Sequence, residues 1–205
     1  VRTQGDASHE EAMIDLIGIL LDRYGIIAPN TVSDAGVAGG FSAIYPVLKR
    51  MEEKGTLLRG VFVKGFGAAQ FAERETVDLL RHHIDSEPVM TVTMDVCDPA
   101  NLYGSSLESP AILESNARTD SKRRAAVKPI RRPGSLVVLR QGRAVLYAAL
   151  WSGRIVAFEP SPSVLKTAAT ALEQTCSRLH GASITFRDCN GVPLQGGNAM
   201  SDALR

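Results

Sequence analysis

The chain has 205 residues, of which 44% are hydrophobic and 22% are charged, and its mean hydropathy is close to zero. This length gives room for one large domain or two small ones, each with a buried core. No apolar run approaches the roughly 18 residues that a membrane span needs. The amino-terminal segment is not a signal peptide, because no apolar segment directly follows a basic one. We therefore expect a soluble protein with no membrane partner.

The net charge of +1 hides an uneven distribution. Residues 1–117 carry 9 basic and 17 acidic side chains, whereas residues 118–133, "RTDSKRRAAVKPIRRP", carry 7 basic and 1 acidic. Because this basic segment has no apolar periodicity, it is expected to be a flexible loop that lies along phosphates or is simply solvated. Its candidate phosphate contacts are Lys122, Arg123, Arg124, Lys128, Arg131 and Arg132.

The three cysteines, Cys97, Cys176 and Cys189, are widely separated. Their number and spacing indicate neither a disulfide framework nor a Cys-x-x-Cys metal pair, so a reducing cytoplasm is the expected location. The sequence ends at "MSDALR", where a helix is predicted to begin, and we expect the chain to be part of a longer protein.

Three helices and a hairpin are predicted before residue 86. The first helix ends at Gly25, a short second helix follows, and a third ends at Gly55. The third is expected to start between Ser42 and Tyr45, since Pro46 lacks a backbone donor and is tolerated only in a first turn. The runs "LLRGVFV" and "AQFA" around "KGFGA" predict a hairpin, and a fourth helix follows. Three helices and a two-stranded ribbon are typical of a winged helix.

The pattern becomes strand-rich near residue 87. "SLVVLR-QG-RAVLYAALW" predicts a hairpin, a helix is expected from Ser163 to His180, and "SITFRDC-NG-VPL" predicts a second hairpin with a type I′ turn at Asn190-Gly191. We therefore predict an α+β chain. A winged-helix (helix-turn-helix) domain covers residues 1–86, and a small, mostly antiparallel β-barrel-like domain with one long helix covers residues 87–205.

The stretch "GVFVKGFGAAQF", residues 60–71, admits two interpretations. A strand followed by Gly65-x-Gly67 is how a dinucleotide-binding turn begins, but Gln70 stands where the third glycine would be, and "AQFA" separates the turn from the next helix. As the wing of a winged helix, the same glycines let the backbone bend tightly and approach another surface. The second interpretation is favoured.

Candidate DNA contacts lie in the third helix and the wing. Basic side chains can meet phosphate, helix-start hydroxyls can do the same, and an aromatic ring at a bend can stack on bases or pack on a neighbouring domain. Acidic residues among them leave contact with protein as an alternative. The predicted DNA-binding residues are Ser42, Tyr45, Lys49, Arg50, Arg59, Lys64, Phe66 and Gln70.

Catalytic patterns are few. Asp95 and Asp98 lie in "MDVCDPANLYG", between the two predicted domains, where carboxylates could activate water. Their alternative role is to cap turns through Asx hydrogen bonds. His82 and His83 lack a third ligand at metal spacing, so no metal site is predicted. No P-loop motif occurs, so no ATPase motor is predicted in this chain.

Several motifs together resemble one known family. The segment "GGFSAIYPVLKRMEEKGTLLRGVFVKGFGAAQFA", residues 39–72, is similar to the last winged-helix segment of the large helicase-related (Lhr) proteins, whose pattern includes G-G-F-x-x-[VI]-Y-P and R-G-Y-F-V-x-G-L-G-G-x-Q-F. "DPANLYG", residues 98–104, resembles the family's D-P-A-N-P-Y-G. "GSLVVLRQGRAVLYAALWSGR" resembles its A-L-V-V-L hairpin. The likeness covers nearly the whole chain.

The resemblance implies the carboxy-terminal end of a bacterial superfamily-2 DNA helicase that acts in DNA repair at the nucleoid. The motor, with its ATP and Mg²⁺, would lie in an amino-terminal part outside this chain, and no cofactor is expected here. The implied partners are DNA, the helicase domains of the same protein and further copies of the chain. The family's carboxy-terminal architecture is similar to that of AlkZ-like glycosylases, but their Gln-x-Gln or Gln-x-Asp motif is absent: Gln70 is followed by Phe71 and Ala72.

Three functions therefore stay open at the level of sequence. The leading hypothesis is a DNA-binding accessory module of such a helicase. The first alternative is a glycosylase module that excises uracil or an alkylated base from DNA. The second is a scaffold that joins domains or protomers.

Overall fold

The computed structural model describes residues 4–84, 89–112, 128–180, 184–194 and 202; the side chains of residues 4–8, Ile84 and His180 are not among those described. The chain divides into two compact units. Unit 1 comprises Val1–Ser86 with Ser105–Glu108, and unit 2 comprises Glu87–Gly104 with Ser109–Arg205. The α+β class predicted from the sequence is confirmed.

The described residues of unit 1 form four helices and a small sheet. Helix α1 (Gln4–Tyr24), strand β1 (Ile26–Ile27), helix α2 (Pro29–Asp34) and helix α3 (Gly40–Glu53) come first. Strands β2 (Leu58–Gly60) and β3 (Gln70–Ala72) follow, and then helix α4 (Arg74–Ile84). The sheet order is β1-β3-β2, with both pairs antiparallel. This order of helices, and a ribbon whose loop joins β2 to β3, is the predicted winged helix.

The core of unit 1 is formed by the faces of α1 and α3 that meet over β3. Ile17 and Leu20 of α1, Ile44 and Leu48 of α3 and Phe71 of β3 are all at most 2% exposed and form one cluster. Each such side chain contributes about 1.5–3 kcal/mol when it leaves water. The helical spacing of these residues therefore accounts for how α3 is fixed against the rest of the unit.

Helix α3 begins earlier than its proline suggests. It starts at Gly40, whereas the predicted start was between Ser42 and Tyr45, so Pro46 lies inside the helix. Its N-cap, Gly39, and its first residue, Gly40, are both left-handed, with φ of +74° and +63°. Pro46 is exposed, so water can reach the Ser42 carbonyl that would otherwise accept the missing bond.

A short segment distant in sequence completes unit 1. Asn30 donates from Nδ2 to the Ser106 carbonyl at 2.9 Å, and the Ser106 hydroxyl donates to the Asp34 carboxylate at 3.2 Å. Ser106 is 2% exposed. The sequence-based division at residue 86 placed Ser105–Glu108 in the second domain, because no local pattern indicates that these four residues return to α2.

The described residues of unit 2 form one six-stranded sheet. Its strands are β4 (Thr91–Asp95), β5 (Ser135–Arg140), β6 (Arg143–Ala149), β7 (Arg154–Ala157), β8 (Asp188–Cys189) and β9 (Val192–Pro193), in that spatial order. All neighbours are antiparallel except β7 and β8, which are parallel. Both predicted hairpins are present. Gln141 and Asn190 have φ of 48° and 51°, each followed by a left-handed glycine, as a type I′ turn requires.

Helix α5 (Pro162–His180) connects the parallel strands and covers one face of the sheet. Leu165, Ala168 and Leu172 of α5 pack with Val138 and Leu146 of the sheet in one buried cluster. The predicted barrel-like closure is not confirmed: among the described strands, β4 and β9 stand at opposite ends of the sheet order. Within the described part of the chain, no helix is both long and apolar enough to cross a membrane.

Candidate nucleic-acid interface

The wing is the loop of residues 61–69 between β2 and β3. Pairing of Arg59 with Phe71 and of Gly60 with Gln70 brings the ends of the loop together. Gly65 and Gly67 have φ of +96° and +80°, in the left-handed region that side chains disfavour. The two glycines therefore make the predicted tight bend, and Lys64 beside them is exposed.

Gln70 organises this loop from inside. It is fully buried, and its Oε1 accepts from the backbone amides of Phe62 and Val63 at 2.9 and 2.8 Å. Its Nε2 donates to the carbonyls of Val63 and Gly67 at 2.9 and 2.6 Å. In this conformation the Gln70 amide has no accessible surface and is already bonded to the wing; its contact with DNA stays a prediction.

Phe66 of the wing is also buried. Its side chain is 1% exposed, although its neighbours Lys64, Gly65 and Gly67 are exposed. Of the two roles that the sequence left open for this ring, burial agrees with packing, and stacking on bases stays a prediction. Its burial accounts for an apolar residue at a bend flanked by the left-handed Gly65 and Gly67.

Two cations of the ribbon, Arg59 in β2 and Lys64 in the wing, are available to a ligand. Lys64 is exposed at the bend, and Arg59 is exposed at the base of the ribbon with its guanidinium 5.8 Å from the centre of the Phe71 ring. Neither forms an ion pair with any residue that the structure describes. Two unneutralised positive charges thus lie on the ribbon: Arg59 in β2 and Lys64 in the wing.

The predicted cations of α3 are partly neutralised. Arg50 forms an ion pair with Glu10 of α1 at 3.0 Å, and Lys49 forms one with Glu53 at 3.8 Å. The Lys49 pair is well exposed, at 58% and 61%, so it is worth less than about 1 kcal/mol and can exchange for a phosphate. Arg50 is directed toward α1 and is the weaker candidate for DNA contact.

The polar residues at the start of α3 differ in their exposure. Ser42 is exposed, as the prediction requires. Tyr45 is half-buried in an aromatic cluster, with its ring 5.7 Å from Phe41 and 6.1 Å from Phe71. Since Arg59 lies over the same Phe71 ring, the structure brings Tyr45 and Arg59 to one aromatic cluster and links α3 to the ribbon.

In unit 2, Asp95 and Asp98 both cap the turn after β4. The Asp95 carboxylate accepts from the Cys97 amide at 2.8 Å, and the Asp98 carboxylate accepts from the Ala100 amide at 2.8 Å. These are the Asx hydrogen bonds that the sequence offered as the alternative to catalysis. Asp98 is exposed and Asp95 is half-buried.

Two further residues, Asn101 and Arg131, stabilise the same turn, and the sequence analysis did not predict this role for either of them. Asn101 is 2% exposed and donates from Nδ2 to the Val96 carbonyl at 2.8 Å. Arg131 donates to the carbonyls of Asn101 at 2.7 Å and Asp98 at 3.3 Å. Arg131, a predicted phosphate contact, is therefore engaged in supporting the turn, whereas Lys128 and Arg132 are exposed. Lys122, Arg123 and Arg124 lie outside the described residues.

A small apolar pocket lies beside this turn in unit 2. It is lined by Val96, Tyr103, Ile130, Tyr147 and Phe158, among others, and its volume is about 20 Å³. That volume holds one water molecule but not a nucleobase. Within the described part of the chain, no group of three or more His, Cys, Asp or Glu side chains is placed to hold a metal ion.

Together, the three helices, the β1-β3-β2 sheet and the glycine-bent wing define a winged-helix domain, followed by a unit with a mixed sheet and one long helix. Residues 6–92 match the family described as "Large helicase-related protein, winged-helix domain". They are therefore a winged-helix domain of the large helicase-related (Lhr) family.

Two relatives are similar to nearly the whole chain. The chain is 33% identical over 195 residues to the "Lhr helicase/uracil glycosylase" of Escherichia coli (strain K12). The match covers 90% of this chain and 12% of that protein. It is 35% identical over 181 residues to the "Lhr helicase/ probable uracil glycosylase" of Mycolicibacterium smegmatis, which covers 86% of this chain and 11% of that protein. The chain thus corresponds to a segment of Lhr proteins and spans about a tenth of their length.

Proposed function

We propose that the chain is a DNA-binding accessory module of an Lhr-type helicase that acts in DNA repair at the bacterial nucleoid. Lys64 of the wing and Arg59 of β2 would contact the phosphate backbone. Lys49 and Ser42 of α3 would lie close to the same DNA. The ATP- and Mg²⁺-dependent motor would lie elsewhere in the longer protein. The observation that carries the proposal is a pair of exposed cations without carboxylate partners among the described residues: Arg59 in β2 and Lys64 on the loop that Gln70 orders.

This arrangement favours affinity without sequence preference. Contacts to phosphate position a protein on DNA but carry no base information. Phe66 and Gln70, the side chains that would have supplied base contacts from the wing, are buried. Because each neutralised phosphate releases counterions, the affinity should fall steeply with salt concentration.

A titration of labelled duplex DNA with wild-type chain and with an Arg59→Gln/Lys64→Gln double variant tests the proposal. We expect the double variant to bind several-fold more weakly at low salt, with a plot of log K against log salt that is less steep by about 1.8, or about 0.9 per phosphate contact. The matched control is Arg81→Gln, which removes a charge already paired with Asp78 at 3.1 Å. Equal affinity and equal slope for wild type and double variant would contradict the proposal.

A second candidate is a uracil-DNA glycosylase module, favoured by the names of the two relatives. Asp98 is its candidate for orienting water, since it is exposed and only one of its carboxylate oxygens is used by the Ala100 amide. Because the 20 Å³ pocket is too small for a base, a flipped base would need a site that opens when DNA binds. Incubation with uracil-containing DNA followed by alkaline cleavage decides the matter. The candidate fails if no strand breaks appear, or if Asp98→Asn cleaves as wild type does.

A further inference from the structure

The only tryptophan of the chain lies in an exposed turn of unit 2. Trp151 belongs to the tight connection between β6 and β7, closed by bonds from the Ser152 amide to the Ala149 carbonyl at 3.2 Å and from the Gly153 amide to the Leu150 carbonyl at 3.4 Å. Its side chain is 53% exposed. Tryptophan is highly buried on average, so an exposed Trp151 is unusual. Because the turn is ordered and the ring is solvent-exposed, the ring is available to a ligand.

One cation is already stacked on this ring. The Arg132 guanidinium lies 5.0 Å from the centre of the Trp151 ring, within the range of a cation–π contact. Arg132 is exposed and forms no ion pair with any residue that the structure describes. The contact orients a planar, charged group beside the indole without neutralising it.

A second cation adjoins the same turn. The Arg187 amide donates to the Gly153 carbonyl at 2.7 Å, and a Cβ added to Gly153 would lie 3.6 Å from the Arg187 Cγ. Arg187 is exposed and has no carboxylate partner in the described part of the chain, in contrast to Arg154, which is paired with Asp188 at 3.1 Å. Gly153 permits this approach, since it has φ of +63° and the added Cβ would lie 3.0 Å from the Thr185 carbonyl.

We infer that Trp151, Arg132 and Arg187 form a stacking platform for an unpaired nucleotide of single-stranded DNA. The base stacks on the indole, and the flanking phosphates meet the two guanidinium groups. An exposed aromatic ring beside unneutralised cations is how proteins hold single strands, because every base has a face to stack and every nucleotide carries a phosphate. Duplex bases are stacked on each other, so the platform discriminates in favour of single strands. This inference rests on the proposed DNA-binding function and adds to it a site in unit 2.

The single tryptophan makes the site directly observable. The intact 205-residue chain is titrated with a 12-nucleotide oligothymidylate and with a blunt duplex, while intrinsic fluorescence and the anisotropy of a labelled oligonucleotide are recorded. We expect the oligothymidylate to quench Trp151 emission strongly at saturation, and the duplex to quench it much less. By anisotropy, Trp151→Ala should weaken single-strand binding roughly tenfold, Trp151→Phe should retain most of the affinity, and duplex binding should be unchanged in both.

Controls separate the platform from general binding. Met90→Ala removes another exposed apolar side chain of unit 2, 65% accessible, and should leave single-strand affinity unchanged. Arg132→Lys keeps the charge but loses the planar stack, and should weaken single-strand binding less than Trp151→Ala does. If Trp151→Ala fails to fold by circular dichroism, the quenching of wild type and the affinity of Trp151→Phe still decide the question.

Three results would overturn the inference. If DNA binds with the expected salt dependence but Trp151 emission does not change, the platform is wrong and the proposed function stands. If neither single-stranded nor duplex DNA binds, both fail. If the emission changes with protein concentration in the absence of DNA, a second copy of the chain covers Trp151, and the platform is a protein contact.

Discussion

Gln70 gives the wing one conformation. A loop of glycines and small residues loses much backbone entropy when it is ordered, yet the four hydrogen bonds of this one amide join Phe62, Val63 and Gly67 across the bend. Because the loop is ordered before any partner arrives, binding does not have to supply that ordering. The buried amide thus affects ligand binding by positioning Lys64, without contacting the ligand itself.

Replacing Gln70 by methionine keeps the size of the side chain and removes all four bonds. We expect Gln70→Met to lower the free energy of unfolding by about 1–3 kcal/mol, since polar backbone groups of the wing lose their partner. Urea unfolding measures the change. Gln174→Ala, at an exposed position of α5, is the control and should stay within about 0.5 kcal/mol of wild type. Equal stability of wild type and Gln70→Met would mean that water replaces the amide fully.

The three thiols differ in access. Cys97 is exposed, whereas Cys176 and Cys189 are buried and free. Burial raises the pKa of the Cys176 thiol, and it raises the pKa of Cys189 to about 12, with a smaller contribution from Asp188. Since the thiolate is the reactive form, we expect a thiol reagent at pH 8 to label one site quickly in the native chain and all three in urea. Rapid labelling of Cys97→Ser at any site would contradict this.

The raised pKa of Cys189 also predicts a loss of stability at alkaline pH. The folded state keeps the thiol proton up to a pH of about 12, whereas an unfolded cysteine loses it from about pH 8.5 upward. Between these values the folded state binds more protons, so the free energy of unfolding falls as pH rises, by at most about 1.4 kcal/mol per pH unit for this group. Urea unfolding at pH 8 and pH 10.5 should therefore show a smaller decrease in Cys189→Ala than in wild type. Identical decreases would contradict it.

At the level of elements, the two type I′ turns of unit 2 have the same backbone but different residues. Asn190 adds a side-chain link: it donates from Nδ2 to the Ala157 carbonyl at 3.0 Å and accepts from the Ala157 amide at 2.9 Å. The amide therefore pairs with the last residue of β7 as a strand would. Gln141, in the β5–β6 turn, is exposed and forms no comparable side-chain bond with a described residue. The short β8–β9 hairpin thus depends on its turn residue more than β5–β6 does.

We expect Asn190→Ala to lower the free energy of unfolding by about 2 kcal/mol, because alanine loses both bonds and disfavours a φ of +51°. Gln141→Asn is the matched change in the other turn. It should be neutral or slightly stabilising, since asparagine tolerates the left-handed region better than glutamine does. Thermal or urea unfolding of both variants measures the contrast. Equal effects at the two turns would show that the link to Ala157 contributes little.

At the level of the whole molecule, local signals predicted local structure. The alternating strands around Gln141-Gly142 and Asn190-Gly191, and the helical spacing of α3, each depend on neighbours a few residues away, so the hairpins and the winged-helix order followed from the sequence. What could not be predicted depends on distant partners. Phe66 is buried, and Ser106 returns to Asn30, through contacts that no spacing encodes. The parallel pairing of β8 with β7 likewise depends on how α5 packs.

The candidate site was predictable only in part for the same reason. Residue type identified Lys64 and Arg59 as cations near a bend, and both are exposed. Type alone could not separate Arg131, which supports the turn at Asn101, from Arg132, which stacks on Trp151. Adjacent arginines in one basic segment thus have different roles, and only the folded backbone around them distinguishes a structural cation from an available one.

The final prediction concerns how many phosphate contacts to DNA each of the two units makes. Two pairs of exposed cations, chosen from those that form no ion pair with a described residue, test this: Arg59 and Lys64 in unit 1, and Lys128 and Arg132 in unit 2. If both units contact DNA, removing either pair with glutamine should reduce the slope of log K against log salt by about 1.5–2, and removing all four by about the sum. The substrate is a duplex with a single-stranded tail, and anisotropy over a range of salt concentrations gives the slopes.

The control for this experiment removes the same charge elsewhere. Lys166→Gln/Arg178→Gln takes two exposed cations from α5 and changes the net charge as much as either pair does. Its slope should equal that of wild type, because screened charges distant from DNA release no counterions. A control slope that falls as far as the test slopes would mean that binding follows net charge alone. A reduction from the unit 1 pair only would restrict the interface to the wing and remove unit 2 from it.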